Sequence, residues 1–210
     1  MSFFTKKNYA WTILSLILIS GCSSTIPNSL TPISVAQVEQ AKAWELQGKL
    51  AVRTPDDKFS TNLYWLHTTD TDELTLTTML GTNVLTLHST PNEAVLTLDG
   101  KTYTDADAQR LLARVTGWNI PIDALPLWIT GQLRRSDQIL SQDQQARPQQ
   151  VISSAQQSAW QLNFKHWQRQ SQVEIPRLLE IKRDGINIKI QVNQWQALAS
   201  PSSNLTESTQ

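Results

Sequence analysis

Three histidines, His67, His88 and His166, are the first residues to test for chemistry. None stands in HExxH or HxxxH spacing, and a lone histidine on a strand is ordinarily structural or at the surface, so no metal site is expected. Asp105 and Asp107 sit where a helix begins. Carboxylates there suit the unpaired backbone N–H groups and the helix dipole better than they suit acid–base work. Asp70, Asp72 and Glu73 read as a solvated turn. Arg134 and Arg135 could meet a phosphate headgroup or a partner, or simply form a surface pair. The chain has no G-x-S-x-G elbow and no phosphate-binding glycine loop. These residues assign no catalytic role and call for no cofactor.

The single cysteine, Cys22, is different. A single thiol forms no intramolecular disulfide and excludes a cysteine zinc cluster. Lys6 and Lys7 precede a short apolar run from Trp11 to Ile19, which ends at Ser20-Gly21-Cys22. A basic stretch, a short apolar stretch and small residues are the pattern of an export signal. The run is about half of the ~20 residues that cross a bilayer. Ile19-Ser20-Gly21-Cys22 also resembles the bacterial lipobox. That resemblance implies diacylglycerol transfer to the Cys22 thiol, cleavage before Cys22 and acylation of its new amino group. Ser23 follows where Asp would resemble an inner-membrane retention signal, so it points to the outer membrane. The expected organisation is a signal at 1–21, a lipidated tether at 22–32, one domain at 33–198 and a loose tail at 199–210.

Composition fits that division. The chain has 210 residues, 40% hydrophobic and 17% charged, with 18 basic and 18 acidic side chains. That is enough for one sizeable core and nothing like a nucleic-acid polycation.

Alternation of apolar and polar residues dominates the body. Trp44, Leu46, Leu50 and Val52 keep step, as do Phe59, Thr61, Leu63 and Trp65, with a Pro55-Asp56-Asp57 turn between them. Further strands are predicted near 74–78, 84–88, 94–98 and 101–103, with Asp99-Gly100 as a hairpin turn. The period then becomes helical. Ala108, Leu111, Leu112 and Val115 share a face that Gly117 can end, and Thr104 with Asp107 resembles a capping box. A second short helix is predicted at 123–129, and a third near 33–42 from Val35, Val38 and Ala41. Strands resume near 138–140, 150–153, 159–168, 172–183 and 186–195. This is a mainly β protein with an antiparallel, meandering sheet and a small α cover. Alternation alone leaves open whether that cover closes a packed core or an apolar cavity.

Two features stand out. Eight tryptophans are many for this length. Trp65, Trp160 and Trp195 lie in or at the ends of strands, and Trp128 lies in the helical cover. An indole is broad and apolar but keeps one N–H donor, so each can fill a core or line an acyl pocket. Met79-Leu80-Gly81 lies in a tight turn between Leu76 and Leu85. Leu80 at its tip would either contact a membrane or protein, or fold back on the sheet.

Together these residues resemble the LolB family, the outer-membrane lipoprotein receptors of bacterial lipoprotein sorting. The matching pieces are Ile19–Cys22, Trp44-Glu45-Leu46-Gln47-Gly48-Lys49-Leu50-Ala51-Val52, Leu80-Gly81, Tyr103 through Ala108, Leu112 through Thr116-Gly117, Ile120-Pro121, Leu125, Trp128 through Gly131, Ile188 through Ile190, and Trp195. They run in order over almost all of the chain after the signal. Met79 departs from the Pro-Leu-Gly form of the family turn.

The resemblance implies an incomplete, strongly curved antiparallel β-barrel around an apolar cavity, with helices as a lid. It implies a non-enzymatic receptor, held by Cys22 in the inner leaflet of the outer membrane and facing the periplasm. Its partners would be a soluble periplasmic carrier chaperone, triacylated lipoprotein cargo and outer-membrane phospholipid, and it would act as a monomer without nucleic acid. Leu80 would enter the membrane, and Trp65, Trp128, Trp160 and Trp195 would line the acyl cavity. The competing reading is a structural envelope lipoprotein with a solid β core that binds another envelope protein.

Overall fold

The computed structural model describes residues 30–154 and 159–200. Cys22, the expected signal and nearly all of the expected tether and tail lie outside them.

Twelve strands form one sheet. They are β1 (Thr31–Pro32), β2 (Ala43–Arg53), β3 (Lys58–His67), β4 (Asp72–Thr77), β5 (Asn83–Ser89), β6 (Ala94–Leu98), β7 (Lys101–Asp105), β8 (Gln138–Gln142), β9 (Pro148–Ser153), β10 (Trp160–Gln170), β11 (Val173–Arg183) and β12 (Ile186–Ala199). Two helices, α1 (Ala108–Thr116) and α2 (Leu125–Ile129), lie between β7 and β8. The strand order is β7-β6-β5-β4-β3-β2-β12-β11-β10-β9-β8, with β1 added beside β12. Each half is thus a meander of sequence neighbours, and the long antiparallel pairing of β2 with β12 joins them.

One face carries the buried apolar residues of the long strands. A single row of cross-strand partners runs Trp195, Leu46, Trp65, Leu74, Leu87 and Leu96, all buried. Neighbours in such a row pack directly, which is what fixes register. Burying a side chain of this size contributes about 1.5–3 kcal/mol.

The expected strongly curved barrel is corrected by this topology. The strand path is open, with β7 and β8 as its two ends, and the sheet is neither closed into a barrel nor strongly curled. Closure needs a stagger that pairs the first strand with the last. Here the chain leaves β7 through the helices and returns at β8. The helices, and not a far wall of the sheet, bury the apolar face.

Three local expectations are also revised. Residues 33–42 form only a 3-10 turn at Val38–Gln40. Ile33 N donates to Ala197 O and Val35 N to Ser171 O, and these sheet-like bonds keep the segment extended. Helix α1 is capped by Asp107 alone, whose side chain accepts from Arg110 N at 2.7 Å; Asp105 instead pairs with Arg110 and Arg114. Helix α2 starts at Leu125, two residues later than expected, with Pro126 in its first turn, where the missing N–H costs nothing.

Candidate functional site

Between the covered face of the sheet and the helices lies an apolar space of about 40 Å³. Leu50, Trp65 and Ile190 line it from the sheet, and Leu112, Trp118 and Ile120 from the cover; every lining side chain is apolar. It is smaller than the roughly 150 Å³ of a cavity that admits benzene. As closed, it holds no acyl chain.

The cover is shaped by its helix ends. Gly117 adopts φ +76°, the left-handed conformation that ends α1 and that glycine enters without a Cβ penalty. The chain therefore turns at once, and Trp118 packs on Phe59 with ring centroids 5.4 Å apart. After α2, the chain turns through Gly131 at φ +77°, and the Thr130 hydroxyl donates toward the Leu127 and Pro126 carbonyls of the last turn.

Few polar bonds hold the cover. Arg110 of α1 pairs with Asp105 at the end of β7, Arg114 Nη2 donates to Thr104 O at 3.0 Å, and Arg183 Nη2 donates to Asn119 O at 3.3 Å. The Arg110 guanidinium holds the Asp105 carboxyl down to about 2. Near β8 the Ser153 hydroxyl donates to Asp137 Oδ1 at 2.5 Å. Arg134 pairs with Asp123 within the cover at 3.0 Å, which accounts for that member of the arginine pair.

Trp65, Trp128, Trp160 and Trp195 are all fully buried. Of these four, Trp65 borders the apolar space; the other three pack in the surrounding core. Trp118 borders it as well, and nothing in strand or helix periodicity singled it out. An aromatic residue placed directly after a helix-ending glycine was the available signal.

Trp65 Nε1 donates to Asp72 Oδ1 at 2.7 Å. The indoles of Trp128, Trp160 and Trp195 are buried with no hydrogen-bond partner among the described residues. Asp72 is therefore not part of a solvated turn. It begins β4, opposite His67, whose Nδ1 also lies 2.7 Å from Asp72 Oδ1. The pair braces the Trp44–Trp65 edge-on contact, with centroids 5.6 Å apart. No group of three or more His, Cys, Asp or Glu able to hold a metal occurs among the described residues.

Leu80 and Met79 stand free at the β4–β5 turn, with 95% and 81% of their surface exposed. Leu80 thus does not fold back on the sheet. The turn itself is well tied. Gly81 N donates to Thr78 O at 3.0 Å, Thr78 N to Thr82 O at 2.9 Å, and Asn62 Nδ2 on β3 to Thr78 O at 3.0 Å. Met79 occupies the second position of the Thr78–Gly81 turn, where proline is favoured but not required, so the departure from Pro-Leu-Gly leaves the tip in place.

The model of outer membrane lipoprotein LolB matches residues 42–195. Proteins called outer-membrane lipoprotein LolB are similar over nearly the full length. That of Shewanella loihica is 52% identical, covering 100% of this chain and 97% of its own, and that of Shewanella woodyi is 55% identical, covering 95% and 94%. The chain belongs to the LolB family. A solved LolA superfamily protein from Nitrosomonas europaea aligns with a TM-score of 0.49 at 9% identity, covering 77% of this chain and 88% of that one.

LolB membership makes this chain a non-enzymatic receptor in the sorting of outer-membrane lipoproteins. It is a lipid-anchored outer-membrane protein that faces the periplasm, working with a periplasmic carrier and lipoprotein cargo. The site's two distinctive features are an apolar space under a lightly fastened cover and an exposed leucine.

Proposed function

We propose that this protein accepts triacylated lipoprotein from its periplasmic carrier into the apolar interior beneath α1 and α2, and passes it to outer-membrane phospholipid. What supports the reading is the wholly apolar interior, whose cover is held by a handful of polar contacts. Acyl chains leave one apolar setting for another, so they need not cross water. At about 0.8 kcal/mol per buried CH₂, full exposure of three chains would be prohibitive, and handover calls for close docking of the two proteins. Displacing the cover makes room, and Trp65, Trp128, Trp160 and Trp195 approach the chains. Cys22, freed by cleavage of residues 1–21, carries the lipid anchor, with residues 22–32 as tether, 33–198 as the binding domain and 199–210 as a tail. Leu80 enters the inner leaflet during release. The protein acts as a monomer.

The test is transfer of a labelled triacylated lipoprotein from its soluble carrier to this protein and on to liposomes, with bromine on the acyl chains to quench tryptophan. A soluble form lacking Cys22 should accept cargo, and single-Trp variants should dim. A folded, Cys22-free protein that accepts nothing and shows no quenching would overturn the reading and favour a structural lipoprotein with a solid core.

A further inference from the structure

Arg183 is a cation that the fold turns toward its apolar side. On β11 the alternation Leu179, Ile181, Arg183 puts it in line with buried positions, and its side chain is only 10% exposed. The guanidinium carbon lies 4.1 Å from the centroid of the ring of Trp160, the first residue of β10. Its Nη2 donates to Asn119 O on the covering loop. Its Nε is buried and has no hydrogen-bond partner among the described residues; the exposed Asp184 carboxylate is 3.8 Å away, beyond bonding reach. Trp160 Nε1 is also buried without a partner. Two buried donors, on side chains stacked guanidinium over indole, are thus left unmatched, at the cost that any buried unsatisfied donor carries.

Their place matters. Asn119 lies between Trp118 and Ile120, both of which line the apolar space. Through Asn119, Arg183 is tied to the loop that lines the space, although neither it nor Trp160 borders the space itself. Both groups are donors, so the matching ligand group is an acceptor. Asp184 already lies beside the guanidinium, which favours a neutral oxygen over a second anion. The acceptor found at the end of an apolar chain is the carbonyl of its ester or amide link.

We propose that Arg183 and Trp160 form a carbonyl-binding subsite at the rim of the apolar interior, which holds the acyl linkage where chain meets head. This rests on the proposed function in taking the ligand to be acylated. Acylated lipoprotein and phospholipid both carry that carbonyl.

The experiment compares binding of acyl-linked probes (the ester form) with analogues in which the ester or amide carbonyl of every chain is replaced by CH₂ (the ether form). One arm uses a triacylated lipopeptide and the other a short-chain phosphatidylethanolamine. Wild type should prefer the ester form by about tenfold in at least one arm, and the arm that shows it names the source. Arg183→Met should erase that preference while still binding the ether form, and Trp160→Phe, which keeps an aromatic ring but loses the N–H, should reduce it. Equal affinity of wild type for ester and ether in both arms, or an unchanged preference in folded Arg183→Met and Trp160→Phe, would overturn the subsite alone. Failure of wild type to bind any probe would overturn the acyl-binding reading itself and the subsite with it.

Discussion

Trp65 and Asp72 meet diagonally across β3 and β4, with the indole N–H donating to the carboxylate at 2.7 Å. The bond anchors the buried cross-sheet row near its middle, at Trp65. It also sets Trp65 apart from the three other buried indoles considered above, which have no such partner. Replacing Asp72 by Ala leaves a buried donor unmatched and frees His67. The expected loss is about 1–3 kcal/mol, read as a lower urea midpoint with an unchanged slope. An unchanged midpoint would mean that the bond contributes nothing to stability.

Leu80 makes its case by exposure. A side chain this far in solvent adds little to the fold, so Leu80→Glu should alter stability by less than about 0.5 kcal/mol. Acceptance of cargo from the carrier should persist while delivery to liposomes falls. Delivery at the wild-type rate would remove Leu80 from the release step.

Gly48 faces Val192 across the β2–β12 pairing, at the point where the register shifts between Val192 and Gln194. A Cβ at Gly48 would overlap the Gln191 carbonyl oxygen, which is backbone and cannot swing away. Gly48→Ala should therefore cost about 1–3 kcal/mol by overpacking, measured by chemical denaturation. A neutral result would show that the bulge yields to the added methyl.

Acid should loosen the attachment of α1. Asp105 sits at about 2 in the folded chain against an ordinary 3.8, chiefly because Arg110 bonds to it. A carboxyl lowered on folding contributes stability above its ordinary value and loses it as pH falls from about 4 to about 2. The wild-type melting temperature should drop across that window by more than that of Asp105→Asn. Parallel curves would show that the pair does not couple to folding.

The strands were legible because one face of the sheet is apolar and the other wet, so Trp44 through Val52 and Phe59 through Trp65 announce themselves by alternation. The joining of β2 to β12 was not, since pairing between the two ends of a chain leaves no local mark. Trp195 shows the limit well. Ile188, Ile190 and Val192 point to the covered face, and strict alternation would turn Trp195 away from it. The bulge next to Val192 inserts one residue and brings Trp195 back into the core. The place of Leu80 at a turn tip could be read, but whether it stood free or folded back could not, because that depends on the packing around the turn. His67 with Asp72, and Arg183 over Trp160, were hidden for a common reason. Each pair is made across neighbouring strands, so it depends on where the turn between them falls, at 68–71 for the first and at 171–172 for the second, and on a register that alternation alone does not set.

The route of the chain from β7 to β8 has a mechanical result. Residues 106–137 start at one outer strand of the sheet and finish at the other, so the two helices are moored at both banks like a pontoon bridge. Such a span has no free end to swing. It can bow, slide or slacken, but it cannot open like a door. Room for a lipid must come from arching the middle, around 117–124, or from letting an outermost strand drift with its mooring. Either motion leaves both ends of the span joined to the sheet it crosses.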